Sequence, residues 1–308
     1  PSDFSSVYVY NLDEEKPVRI TSELTNDWNP TWDPDGKYLY FLSDRHFNPS
    51  LGSFDFTYNY HRTAGVYLIT LERGTDNPFA PRSDEVEVSQ DEEEESGEET
   101  PDITIDFEGI AGRTIALPID ADNYRSLQAT NGAVFYVSYP TYGLNGKVEP
   151  VQNALHGFDF DKREATEMMN GVGGYDISPD NKHLIVSAKG DYFLVDAKPA
   201  DLKDAKALDL SDMEAKVNYR AEWQEIFDEA WRYQRDYFYN PQMNNVDWDS
   251  IKAKYEVLLP YVVNRFDLNY IMGEMISELS NSHTYVGGGD YPELDRVDYG
   301  QLGIDIAP

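Results

Sequence analysis

Over residues 1 to about 210 the chain runs as short apolar stretches, each broken by a turn signal. Ser6-Val7-Tyr8-Val9-Tyr10 alternates toward Asp13-Glu14-Glu15, the period of two expected of a strand with one face in a core. Trp28-Asn29-Pro30-Thr31-Trp32-Asp33-Pro34-Asp35-Gly36-Lys37 leads into Tyr38-Leu39-Tyr40-Phe41-Leu42-Ser43. Proline presets φ and glycine supplies a positive φ, so Pro34-Asp35-Gly36 predicts a hairpin-like turn. A second copy, Ser178-Pro179-Asp180-Asn181-Lys182, precedes His183-Leu184-Ile185-Val186-Ser187. Between them, Asn131-Gly132 is expected to make a turn of the same type before a third strand, Ala133 to Val137. Val66-Tyr67-Leu68-Ile69 and Tyr192-Phe193-Leu194-Val195-Asp196 read as outer strands that end their units.

From Met213 the period changes. Trp223, Phe227, Ala230, Trp231, Gln234 and Phe238 fall at helical spacing, as a buried stripe should. Asn240-Pro241 stops that helix. Asp247 reads as the N-cap of a second helix carrying Trp248, Ile251, Tyr255, Leu258 and Leu259, which Pro260 ends or kinks. Asp267 is expected to cap a third, with Leu268, Ile271, Met272, Met275 and Leu279 on its apolar side. These stripes belong to a core rather than to a cofactor site.

Repeated strand units of this period point to a propeller, with a β-sandwich of coincidentally similar turns as the alternative. The expected fold is mixed, β then α. A partial β-propeller of about three blades covers 1–212, a small helical subdomain follows at 213–290, and 291–308 forms a linker. Three blades cannot close a ring, and the chain does not begin with Met. Both observations suggest a segment of a longer protein.

Charge narrows the partners. With 57 Asp and Glu against 25 Lys and Arg, the net charge of -32 repels nucleic-acid phosphates and anionic lipid. Residues 84–99 alone hold ten acidic side chains and no basic one. They read as a solvated disordered loop, with a calcium or basic-partner tether as the minor alternative. The acidity elsewhere is consistent with a salty habitat. No run nears the roughly 18 apolar residues that cross a bilayer, so membrane insertion is not expected. Cysteine is absent, which removes disulfides, thiolate metal sites and a cysteine nucleophile.

Candidate chemistry concentrates at Glu278-Leu279-Ser280-Asn281-Ser282-His283-Thr284-Tyr285-Val286. Here a histidine follows an amphipathic helix, at the start of what reads as a short β-like run ending in Gly287-Gly288-Gly289. Histidine is the side chain best suited to moving protons near neutral pH. Adjacent residues of a strand point to opposite faces, which argues against direct proton transfer from Ser282 to His283. Asn281 and Thr284 are candidates either to orient the ring or to stabilise the loop. The three glycines lack the strand-before, helix-after setting of a phosphate cradle and read as a flexible turn. No His-Glu-x-x-His zinc helix and no Gly-x-Ser-x-Gly elbow is present. His46, His61, His156 and His183 lack metal-ligand spacing and are expected at the surface or packed on strands. No cofactor or metal is expected.

The stretch Tyr237 to Val286 resembles the first catalytic subdomain of the tricorn protease family. The matching features are Asn245-Val246-Asp247-Trp248, Arg265-Phe266-Asp267-Leu268, Glu274-Met275-Ile276, Glu278-Leu279 and Ser282-His283-Thr284-Tyr285-Val286. The two Pro-Asp-Gly/Asn-Lys copies resemble the blade motif of TolB-like and tricorn propellers. Asp106-Phe107-Glu108-Gly109-Ile110, Arg113 and Leu117-Pro118 resemble the family's late-propeller segment. The resemblance implies that His283 is a general base and that Ser282 belongs to the same charge-relay set. It further implies a nucleophilic serine and a relay glutamate in a later subdomain, after a PDZ module whose entry Tyr299-Gly300-Gln301-Leu302-Gly303-Ile304 resembles. The expected function is a segment of a serine-type peptidase acting on peptides, inactive alone and capable of homo-oligomerisation. Its expected location is cytoplasmic, with a periplasmic or exported one as the alternative. A non-catalytic propeller scaffold that binds peptides or proteins is the competing function.

Overall fold

The computed structural model describes residues 4–12, 14–52, 56–81, 103–143 and 146–291. The acidic run 84–99 and Tyr299 to Ile304 lie outside the described residues. The chain divides into two compact units, Pro1–Leu210 and Ser211–Pro308.

In the first unit, three antiparallel sheets follow one another along the sequence. The first orders Asp27–Trp32, Tyr38–Asp44, Ala64–Thr70 and Thr114–Ala116; the second orders Glu164–Asn170, Ala154–Asp159, Ala133–Ser138 and Tyr124–Thr130. The third has Val172–Ile177, His183–Ala188 and Asp191–Asp196. They stack face to face because the strands alternate. From Ala133–Ser138, Val134 and Tyr136 enter a core with Tyr40, Leu42, Val66, Leu68 and Phe158. Phe135 and Val137 enter another with Leu155, Met168, Leu184 and Val186. One strand thus supplies two cores through its period of two, and the unit is a partial propeller.

The repeated turn has a shared backbone logic. Gly36 (φ 72°) donates to the Asp33 carbonyl at 2.9 Å, and the Asp33 carboxylate accepts from the Lys37 N–H at 3.0 Å. In the second copy Asn181 (φ 57°) donates to the Ser178 carbonyl at 2.8 Å, and the Ser178 hydroxyl accepts from the His183 N–H at 2.9 Å. Asparagine tolerates the left-handed position that glycine fills in the first copy. The Asn131-Gly132 turn differs from expectation. Thr130 pairs directly with Ala133, leaving a two-residue hairpin loop with Gly132 at φ 79°, the kind Asn-Gly favours.

A second expectation also changes. Val66 to Ile69 do not form an outer strand, because Ala64–Thr70 is buried throughout and Thr114–Ala116 pairs outside it. Arg113 secures that return. Its guanidinium donates to the carbonyls of Thr70 (2.9 Å), Leu71 (2.9 Å), Glu108 (3.2 Å) and Asp106.

The second unit holds helices α1 (Tyr219–Tyr237), α2 (Trp248–Glu256) and α3 (Arg265–Ser277). Phe227, Trp248, Leu268, Met272, Met275 and Leu279 form its core. Trp231 and Trp248 donate their indole N–H groups to each other's carbonyls, both at 3.0 Å, which joins α1 to α2. Asp247 caps α2, accepting from the Ser250 N–H at 3.1 Å. The cap of α3 is Asn264 rather than Asp267. Asn264 accepts from the Asp267 N–H at 3.1 Å, while Asp267 accepts from the Val263 N–H at 3.1 Å. These two bonds start the helix earlier than a cap at Asp267 would.

Candidate functional site

The loop after α3 is held at both ends. At its start Leu279 is fully buried, and its carbonyl accepts from the Asn244 side-chain amide at 2.8 Å. Asn244 sits in the left-handed region (φ 53°) and accepts from the Asn240 amide at 2.9 Å. The neighbouring Glu278 carboxylate accepts from the Tyr255 hydroxyl at 2.8 Å and pairs with Lys254. The Lys254 and Tyr255 hydrogen bonds hold its pKa below the usual carboxylate range.

At the far end the Asn269 amide donates to the Gly288 carbonyl at 2.9 Å, and its oxygen accepts from Arg265 Nε at 3.0 Å. Gly289 has φ 109°, and a Cβ placed there would lie 2.5 Å from Arg265 Nε. The glycine run is therefore more than a flexible turn, because φ 109° at Gly289 is a conformation that L side chains rarely adopt, and a Cβ there would also displace the Arg265 side chain.

Between these anchors Ser282 and His283 are exposed. The expected β-like run does not form: residues 281–287 carry no strand, and His283 adopts φ 64°. The left-handed turn comes directly before Thr284-Tyr285-Val286 and breaks the extended path that strand pairing needs. The strand-face reason for separating Ser282 from His283 falls with it. The separation survives on other grounds, since no hydrogen bond joins the Ser282 hydroxyl to the His283 ring among the described residues.

Asn281 donates to the Ser282 carbonyl at 3.2 Å, and the Thr284 hydroxyl donates to the Asn281 carbonyl at 3.2 Å. Both brace backbone, so of the two roles open to them the structure gives loop stabilisation. The ring's neighbour is Tyr285, whose hydroxyl lies 3.4 Å from His283 Nδ1. Sequence reasoning missed this partner, although its position two residues on from His283 was a usable signal. Nε2 has no partner among the described residues. An exposed imidazole with one nitrogen free can accept a proton from a hydroxyl brought to it.

A second serine–histidine pair, not foreseen from sequence, lies in the blades. Ser138 Oγ is 2.9 Å from His156 Nε2, and the His156 ring stacks on Tyr136 with centroids 5.3 Å apart. Strand register brings them together: Tyr136 faces His156, and Ser138 stands two residues along. Burial pushes the His156 pKa down, against the nearby charges of Glu167 and Asp122. Of the other histidines, His46 meets the Tyr67 hydroxyl at 3.3 Å and His183 lies 3.8 Å from Asp196. Among the described residues no group of three or more His, Asp or Glu side chains is arranged to hold a metal ion. No helix among them is long and apolar enough to cross a membrane.

Residues 2–198 match the family model for the Tricorn protease second beta propeller domain. Residues 219–277 match that for the Tricorn protease C1 domain. The chain is 30% identical over 297 residues to the Tricorn protease homolog of Saccharolobus solfataricus, covering 94% of this chain and 26% of that protein. It is 30% identical over 289 residues to Tricorn protease homolog 1 of Streptomyces coelicolor, covering 90% and 27%. The chain thus spans about a quarter of the length of these curated relatives. A solved structure titled crystal structure of the tricorn protease superposes with a TM-score of 0.71 at 24% identity, over 92% of this chain and 27% of that one. That likeness carries the fold.

Proposed function

The chain belongs to the tricorn protease family, and from that premise we propose that it is the part of a serine-type peptidase that supplies the general base. His283 accepts the proton of a serine hydroxyl contributed by a later part of the protein and returns it to the leaving amine. Ser282 supports the charge relay from the adjacent position. The observation that carries this reading is the anchored loop. It holds an exposed imidazole, whose Nε2 has no partner among the described residues, between the amide clamps of Asn244 and Asn269. A base that serves a nucleophile from elsewhere in the protein needs a fixed backbone and an open ring nitrogen, and His283 has both. Residues from 291 onward lead toward the module that precedes the nucleophile, and the blades guide peptides.

A serine-directed fluorophosphonate probe tests this reading. The 308-residue chain stays unlabelled, whereas a protein extended past Pro308 is labelled at one serine and loses that labelling with His283→Ala. Labelling of the short chain at Ser282 would overturn the division of the site. Labelling that persists in His283→Ala would remove His283 from the role.

A further inference from the structure

Beside the His283 loop, α1, α3 and residues 285–287 line a shallow, open groove of about 370 Å³. Its lining includes Ile226, Ala230, Met272, Ile276, Tyr285 and Val286. The groove is continuous with the candidate base. Tyr285 forms part of its wall and also sets its hydroxyl 3.4 Å from His283 Nδ1. The same side chain is 84% exposed, and Tyr233, also on the wall, is 62% exposed. Two large aromatic residues left in water around an apolar floor are a feature of binding surfaces rather than of a finished core.

The backbone beside the groove supports a peptide as the occupant. From Tyr285 to Gly287 the main-chain N–H and C=O groups make no hydrogen bonds among the described residues. Such groups can pair with an added peptide main chain while a pocket takes one of its side chains. The one charged group on the lining, Glu229, is already paired with Arg232. A charged side chain entering the groove would lose water without gaining a partner.

We infer that this groove is a subsite for an apolar side chain, such as leucine, methionine or phenylalanine, of an extended peptide bound next to His283. The inference rests on the proposed role of His283 and adds a substrate preference to it. Gly287 is one of the residues that line the groove. A Cβ added there meets nothing within 4 Å and the backbone φ is not positive, so a larger residue fits without unfolding the loop.

The test uses the protein extended past Pro308 and capped peptide substrates that differ by leucine or alanine at one position at a time. At one position leucine is preferred by about tenfold to a hundredfold in kcat/KM. Gly287→Val, and from the opposite wall Ala230→Phe, reduce that ratio to about twofold or less. The ratio is internal to each variant and does not depend on its absolute rate. An unchanged ratio in both variants overturns the subsite. A lowered Tm with an unchanged ratio overturns it too, because the groove would then be covered by a later part of the same protein. If His283→Ala retains probe labelling, the proposed function fails separately. The groove is then judged by titrating the 308-residue chain with the capped leucine and alanine peptides and following the Met272 methyl resonance. Leucine-dependent shifts support an apolar peptide site, and their absence overturns it.

Discussion

Two serine–histidine pairs in this chain show how differently the same residue types can be held. Ser138 and His156 are 18 residues apart yet hydrogen-bonded, with the imidazole stacked on Tyr136 and half-buried between strands. Ser282 and His283 are neighbours in sequence, exposed, and not bonded to each other. The first pair satisfies itself. Its histidine has given Nε2 to Ser138, and burial disfavours the charged form of the ring. In the second pair the ring is open to solvent and the backbone is clamped on either side. A proton carrier that serves an external group needs a free nitrogen more than it needs a nearby serine, so under the proposed function the closer contact is the packing one and the looser one is the one available to a substrate.

The strongest way to break this comparison is to remove each ring from the extended protein and measure peptide hydrolysis. His283→Ala lowers kcat/KM by about a thousandfold or more, and His156→Ala leaves it within about twofold on the same scale. Reversal of that order would mean that the blade pair is the reactive one.

A smaller effect sharpens the contrast between clamped and self-satisfied pairs. Asn244→Ala removes the bond to the Leu279 carbonyl and places alanine at φ 53°, costing the helical unit about 1–3 kcal/mol. Asn244→Gly accepts the positive φ but donates no bond, so it recovers only the backbone part of that loss. Thermal unfolding of the chain and its two variants, followed at the tryptophans of the helical unit, separates the two contributions. Equal Tm values for all three would show that the loop needs no anchor.

The smallest effect is a pH dependence confined to the blades. In the folded chain His156 has a pKa below its ordinary value of 6.5, because burial disfavours the imidazolium. Below that ordinary value the unfolded chain therefore binds the extra proton before the folded one does. The contribution to stability is complete above 6.5 and is lost as pH falls toward the lower folded value. Urea midpoints for the blade unit should drop between about pH 7.5 and pH 5.5. In His156→Gln, which keeps a hydrogen-bonding side chain without titrating, the slope should flatten. A slope equal to that of the unaltered chain would assign the drop to other groups.

Much of this architecture was legible in local pattern. The period of two in residues 1 to about 210 and the helical stripe from Trp223 to Phe238 reflect how side chains meet a core, so they survive in sequence. The paired Pro-Asp turns were legible for the same kind of reason, since proline together with glycine or asparagine dictates backbone geometry within four residues. The resemblance around Ser282-His283 drew attention to a loop that the structure holds at both ends. What failed were statements that depended on partners distant in the chain. Val66 to Ile69 read as an outer strand because nothing nearby reveals that Thr114–Ala116 returns to cover it. Thr284 to Val286 read as a strand because their composition suits one, but among the described residues no strand pairs with them and His283 turns left-handed before them.

By itself the sequence determined that blades precede helices, where the turns lie, and that the chain belongs with the tricorn proteases, because each of these is written in contiguous residues. Only the tertiary structure decided that Asn244 and Asn269 grip the ends of the His283 loop, from 35 residues before Leu279 and 19 before Gly288. It alone decided that Gly289 takes a positive φ with the Arg265 side chain packed against it, and that Ser138 rather than Ser282 is bonded to a histidine. The physical reason is the same in each case. A hydrogen bond or a close approach depends on distance in space, and chain folding sets that distance for pairs whose separation in sequence gives no hint of it.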